Sequence, residues 1–198
     1  MREDNKARIT IESLVQVIGN MVDLHDPNTA GHQCQVAYLA KAIAEEICPE
    51  KEFVDCVFLA GQIHDIGKIV IPAEILNRRD KLSHMQQIMV KTHAQAGYTM
   101  LKAVKFPGNV AEAVFQHHER LDGSGYPQGL RGEQILREAR ILAVADVVQA
   151  MVSSRSYHPA LSMEEVLEEI QMNQGKLYDT DVVTAYVHLV NSKMLNIS

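Results

Sequence analysis

Residues 57–68 read Val57-Phe58-Leu59-Ala60-Gly61-Gln62-Ile63-His64-Asp65-Ile66-Gly67-Lys68, an apolar run that ends in an imidazole, a carboxylate and an ammonium. The run lacks strand alternation and predicts a helix over about 50–66. A buried helix does not collect three ionisable groups at its end without a partner for each. A metal ion is one such partner: His64 offers a neutral nitrogen, Asp65 an oxygen able to bridge two ions, and Lys68 a mobile cation for phosphate. The competing reading is an ordinary helix C-terminus, with His64 and Lys68 favoured by the dipole and Gly67 as the cap.

Upstream, Ile11, Leu14, Val15, Ile18, Met21 and Val22 recur at three- and four-residue steps and predict an amphipathic helix over 9–24. Its stripe fits ordinary packing or a coiled coil entering from an upstream domain. After Asp26-Pro27-Asn28 a second helix is expected over 29–47, with Val36, Leu39, Ala40, Ile43 and Ala44 on one face. Downstream, Pro72 opens a short helical turn, and Ser83 caps a helix towards Leu101 that is expected to be interrupted at Gly97. Further helices are expected over 109–119, 136–152, 163–172 and 181–195. The segment 121–132 carries Gly123, Gly125, Pro127, Gly129 and Gly132, and a loop of that length inside a helical domain tends to be functional. The expected fold is all-α: a single-domain helical bundle over 9–195, with residues 1–8 a charged tail or the cut end of a linker.

Apolar residues make up 46% and charged residues 22%, which excludes a disordered or low-complexity chain. The net charge of −6 excludes a wide basic face for a nucleic-acid polymer. Cys34, Cys48 and Cys56 form no Cys-x-x-Cys pair, so neither a disulfide framework nor a thiolate zinc site is indicated, and the cytoplasm is the expected location. No stretch reads as a signal sequence or membrane span.

The nine histidines stand out. Taken singly, His32 or His93 reads as a satisfied core or rim residue. Adjacent His117 and His118 point about 100° apart on a helix and suit two ions of one cluster. Asp146 lies among Ile141, Leu142, Val144, Ala145, Val147 and Val148, where an unpaired carboxylate costs several kcal/mol and a metal supplies the missing cation. A donor set of nitrogen and oxygen alone suits iron, manganese, nickel or zinc in a helical bundle. Two ions bridged by a carboxylate and flanked by Lys68 would form a hydrolytic centre for a phosphate ester. Met85, Met89, Met100, Met151 and Met163 read as core filler, His25, His84 and His188 as surface or rim, and Glu164, Glu165, Glu168 and Glu169 as a solvated face.

These motifs together resemble the HD-GYP branch of the HD-domain phosphohydrolases. The resemblance runs from about Leu14 to Leu189. It rests on His64-Asp65-Ile66-Gly67-Lys68 with Ile71-Pro72-Ala73-Glu74-Ile75-Leu76, on His93 with Gly97, on the stretch from His117-His118-Glu119 through Gly125-Tyr126-Pro127 to Gly132, and on Ala139 to Asp146. It implies an all-α bundle, metal ligation by His32, His64, Asp65, His93, His117, His118 and Asp146, and Asp65 as the bridge. It implies a centre of two or three divalent ions, iron or manganese first, with zinc or nickel as alternatives. It further implies catalytic roles for Asp65 and Lys68, substrate contacts from Lys68, Tyr126, Gln149, Arg155 and His158, and a nucleophile drawn from solvent. The implied reaction is hydrolysis of cyclic di-GMP to pGpG, and onward to GMP in some members, in bacterial second-messenger and two-component signalling.

The implied partners are a receiver or sensor domain upstream and GGDEF-type signalling proteins at the Gly125-Tyr126-Pro127 loop. Asn28 stands where three-metal members carry Glu, which points to two metals. Gln149, Ser156 and His158 replace residues expected near the nucleotide. They keep two other readings open: a weakly catalytic sensory or interaction module, and a hydrolase of another cyclic dinucleotide such as cyclic GMP-AMP.

Overall fold

A computed structural model describes residues 2–26, 31–78, 80–153 and 160–192, with residues 2–12 as backbone. Helix α2 (His32–Ile47) turns Val36, Leu39, Ala40, Ile43 and Ala44 inward, as the spacing requires, and α3 (Lys51–Ile63) meets it through Val54, Val57, Ala60 and Ile63. Helix α8 (Arg137–Val152) is buried over Ile141 to Ala145 and again at Val148, so it packs on α2 and α3 and also on α7 (Val110–Gln116) and α9 (Met163–Met172). Helix α10 (Thr180–Asn191) closes the far side against α2, and α1 (Arg2–His25) lies on α3 through a face that buries Val15 and Val22. Among the described residues there is no sheet, and the fold is the helical bundle expected. No described helix is long and apolar enough to cross a membrane.

The helix starts follow local chemistry. Ser83 and Ser162 form capping boxes with Gln86 and Glu165, and Asp179 accepts from the amides of Asp181 and Val182. Helix α1 reaches back to Arg2, well before the expected start at residue 9, over a stretch in which Arg2, Glu3, Lys6, Ala7 and Arg8 have good helix propensity.

Three expectations need correction. The third helix stops at Ile63, and the chain passes His64 and Asp65 in a turn before a 3-10 segment, Ile66–Val70, and the short helix α4 (Ala73–Leu76) that Pro72 opens. The segment 84–101 breaks at Thr92, giving α5 (His84–Lys91) and α6 (His93–Leu101), and Gly97 lies inside α6. Gly97 is there for close packing, as is Gly67, which is no left-handed cap: a Cβ on Gly67 would overlap the His93 carbonyl and stand 2.6 Å from Gly97 N. The methionines also differ from expectation. Met85, Met89 and Met100 are 71%, 43% and 40% exposed, because α5 buries none of its residues and Met100 faces outward on α6, whereas Met151 and Met163 are partly buried. Of the other histidines, His84 is exposed, His188 pairs with Glu46 on the surface at 2.8 Å, and His25 is half-buried with Nε2 2.8 Å from the Ile71 carbonyl. The run Glu164, Glu165, Glu168 and Glu169 is solvated, as expected.

Candidate metal centre

Three histidines share one construction. A helix leaves its last carbonyls without intrahelical donors, and His64, His93 and His117 each follow a helix end closely enough to use one. Nδ1 of His64 donates to the Gly61 carbonyl at 2.8 Å, that of His93 to Val90 at 2.7 Å and that of His117 to Val114 at 2.6 Å. With the proton committed to Nδ1, each ring presents the Nε2 lone pair to the interior. The Nε2 atoms of His93 and His117 then face one another at 3.4 Å, acceptor against acceptor, and Asp65 Oδ1 lies 3.4 Å from His93 Nε2. His64 Nε2 is buried without a hydrogen-bond partner, 3.5 Å from Asp65 Oδ2 and 3.9 Å from Asp146 Oδ1. Converging lone pairs with no proton between them need a cation.

The donors fall into two overlapping groups: Asp65, His93, His117 and His118 in one, and His32, His64 and Asp65 in the other. Asp65 belongs to both. Asp146, from the middle of α8, reaches His32 Nε2 at 2.9 Å and His118 Nδ1 at 3.9 Å. Thus seven side chains from five segments, His32 and Asp146 lying 114 residues apart, converge on one buried space. Burial holds His93, His117 and His118 below the ordinary imidazole value, His117 down to about 3, so these rings are neutral and suited to ligation. Burial alone would raise the carboxyls of Asp65 and Asp146. The Lys68 ammonium beside Asp65 and the hydrogen bond from His32 to Asp146 outweigh it and hold both well below the usual carboxylate range. The residues present therefore fit first-row divalent ions: neutral imidazoles, ionised carboxylates and no thiolate.

Lys68 is held by two carboxylates, Asp65 Oδ2 at 2.8 Å and Asp26 Oδ2 at 3.2 Å. Burial lowers its pKa, but these neighbours raise it above the usual lysine value, so the ammonium stays charged. Asp26 is a site residue that sequence reasoning missed; its proximity to His32 in sequence was the available signal. Glu119 was quoted only as part of a motif, yet it is buried and accepts from the Gln128 amide at 2.7 Å and the Leu130 amide at 3.0 Å, pinning the glycine-rich loop. Gly125 in that loop passes so close to Glu119 that a Cβ would overlap Glu119 Cα. The loop thereby lays the Tyr126 ring on that of His118, centroids 4.6 Å apart, and Lys91 Nζ stands 5.0 Å from the Tyr126 centroid. Gln149 is buried one turn beyond Asp146. Asn28, Arg155, Ser156 and His158 lie outside the described residues.

Comparison with known proteins places these features in context. The family model described as HD domain matches residues 16–182. The 3'3'-cGAMP-specific phosphodiesterase 1 of Vibrio cholerae is 38% identical over 157 residues, covering 79% of this chain and 36% of that protein. The cyclic di-GMP phosphodiesterase response regulator RpfG of Xanthomonas campestris is 35% identical over 184 residues, covering 92% of this chain and 48% of that protein. A solved cyclic GMP-AMP specific phosphodiesterase of Vibrio cholerae superposes with a TM-score of 0.70 at 19% identity, over 91% of this chain and 49% of the other, which is a likeness of fold. The chain spans about half or less of the length of these relatives.

Proposed function

The chain belongs to the HD domain family, and from that membership and the geometry of the donor cluster we propose that it is a metal-dependent phosphodiesterase that opens cyclic di-GMP to pGpG. The observation that carries the proposal is the set of inward lone pairs on His64, His93 and His117 around a carboxylate common to both donor groups. His32, His64, Asp65, His93, His117, His118 and Asp146 would hold two divalent ions, iron or manganese. Such ions would supply Lewis-acid charge for the phosphodiester and for the water that attacks it.

The chain's own residues do the rest. Lys68, kept charged and fixed between Asp26 and Asp65, is placed to bind a non-bridging oxygen of the scissile phosphate and to give a proton to the departing sugar oxygen. The water oxygen forms the new bond to phosphorus as the bond to that sugar oxygen breaks; the departing oxygen leaves with the Lys68 proton, and the proton lost by the attacking water restores the ammonium, which Asp26 and Asp65 keep charged. Burial raises the Tyr126 phenol above its ordinary pKa, so its hydroxyl remains a donor at the edge of the site. Gln149, Arg155 and His158 border the nucleotide in this reading.

A second substrate, cyclic GMP-AMP, is supported by the identity to the Vibrio cholerae relative, and it uses the same centre and the same steps. The test is metal analysis of anaerobically purified protein with hydrolysis of both nucleotides, before and after Asp65→Ala. About two ions per chain are expected, with at least a ~10³-fold loss of turnover in the variant together with its metal. Full turnover in Asp65→Ala would sink the mechanism.

A further inference from the structure

A cyclic dinucleotide carries two phosphodiester anions, and the centre described above serves one of them. The second requires its own cation on a chain whose net charge is −6. The described cations near the mouth are mostly engaged. Lys68 is held by two carboxylates. Arg120 donates to the carbonyls of Glu119 at 2.8 Å and His117 at 3.3 Å, and its guanidinium lies over Tyr178. Arg140 is committed to Asp179 at 2.8 Å. Lys91 differs: it is exposed, pairs with no carboxylate among the described residues, and stands over the Tyr126 ring, which itself stacks on His118.

Backbone geometry places it there. Lys91 ends α5 two residues before His93, whose Nδ1 bond to the Val90 carbonyl ties that helix end to the centre. On the other side, Tyr126 is fixed by its backbone N–H, which donates to the His118 carbonyl at 3.2 Å, and by the clasp of Glu119 on the loop. A flexible ammonium resting on a fixed aromatic face is held near the mouth by a cation–π contact weak enough to yield to an anion.

We propose that Lys91, resting on Tyr126, forms a subsite for the second, non-scissile phosphate of a cyclic dinucleotide, so that it sets affinity for two-phosphate substrates and takes no part in cleavage. This inference rests on the proposed phosphodiesterase activity. The test compares wild type, Lys91→Ala and Lys91→Arg, all metal-loaded, on cyclic di-GMP and on bis(p-nitrophenyl) phosphate, which has one phosphodiester and no second anion. A calorimetric Kd for a phosphorothioate cyclic di-GMP gives a readout independent of turnover.

Lys91→Ala is expected to raise KM and Kd for the cyclic dinucleotide about tenfold, the scale of a lost charge-assisted hydrogen bond. Its kcat, its metal content and its rate on bis(p-nitrophenyl) phosphate should stay at wild-type values, and Lys91→Arg should restore affinity. An unchanged KM and Kd in Lys91→Ala, or an equal loss on both substrates, overturns the subsite alone. A wild-type enzyme that cleaves bis(p-nitrophenyl) phosphate but neither cleaves nor binds a cyclic dinucleotide overturns the substrate reading and the subsite with it.

Discussion

The turn carrying His64 and Asp65 and the helix α5 stand on either side of His93, and they reverse the usual relation between polarity and burial. In the turn, an imidazole and a carboxylate are buried. On α5, Met85, Ile88 and Met89 are exposed. The difference lies in what each segment is packed against. The turn is closed over by α6, which approaches until Gly67 meets the His93 carbonyl and Gly97, whereas α5 touches the bundle mainly through its junction with α6. Burial here follows the closure of helices around a shared set of donors, and side-chain polarity alone is a poor guide to it.

That contrast is open to three measurements, the largest expected effect first. In chelator-treated protein, the unfolded chain takes up protons at its histidines below about pH 6.5, while burial keeps His117 neutral until about pH 3 and lowers His93 and His118 as well. The unfolded state therefore binds more protons across that window. Stability is fully present above pH 6.5 and is lost as the pH falls towards 3. At pH 5 the loss from His117 alone is about 2 kcal/mol, read as a lower urea midpoint than at pH 7.5. A midpoint that does not move between those values would break the account of a buried, neutral cluster.

Next, Gly67→Ala should destabilise the fold by about 2 kcal/mol through overpacking and, by displacing His93, weaken metal retention in dialysis. The same change at an exposed position does neither, so wild-type stability and metal content in Gly67→Ala would remove close packing as the reason for this glycine. Smallest of all, Met85→Gln on α5 should leave stability within about 0.5 kcal/mol and metal content unchanged. A larger loss of stability would mean that α5 is part of the core after all.

How far these features were legible in the sequence varies by residue. The apolar steps in 32–47 and around Asp146 announce helices because a 3.6-residue period is a local property. Some candidate donors were legible for the same reason: an imidazole pair at 117–118 or a carboxylate in an apolar helix is anomalous within its own segment, whereas His32 and His93 read singly as ordinary residues and joined the set only through the family resemblance. The break at Thr92 and the solvent-facing methionines were not, since both depend on which neighbour covers which face. Asp26, Glu119 and Lys91 are ordinary surface residue types whose roles arise only from residues 42, 9 and 35 positions away: Lys68, Gln128 and Tyr126.

The sequence by itself determined that the chain is all-α and that its candidate donors are nitrogen and oxygen without sulfur, because residue type and period act locally. Only the tertiary structure decided that three imidazoles give their Nδ1 protons to helix-end carbonyls, that Asp65 is common to both donor groups, and that Lys68 and Lys91 have different surroundings. Those outcomes depend on distances of a few ångströms between segments up to 114 residues apart, and such distances are set by how the helices pack.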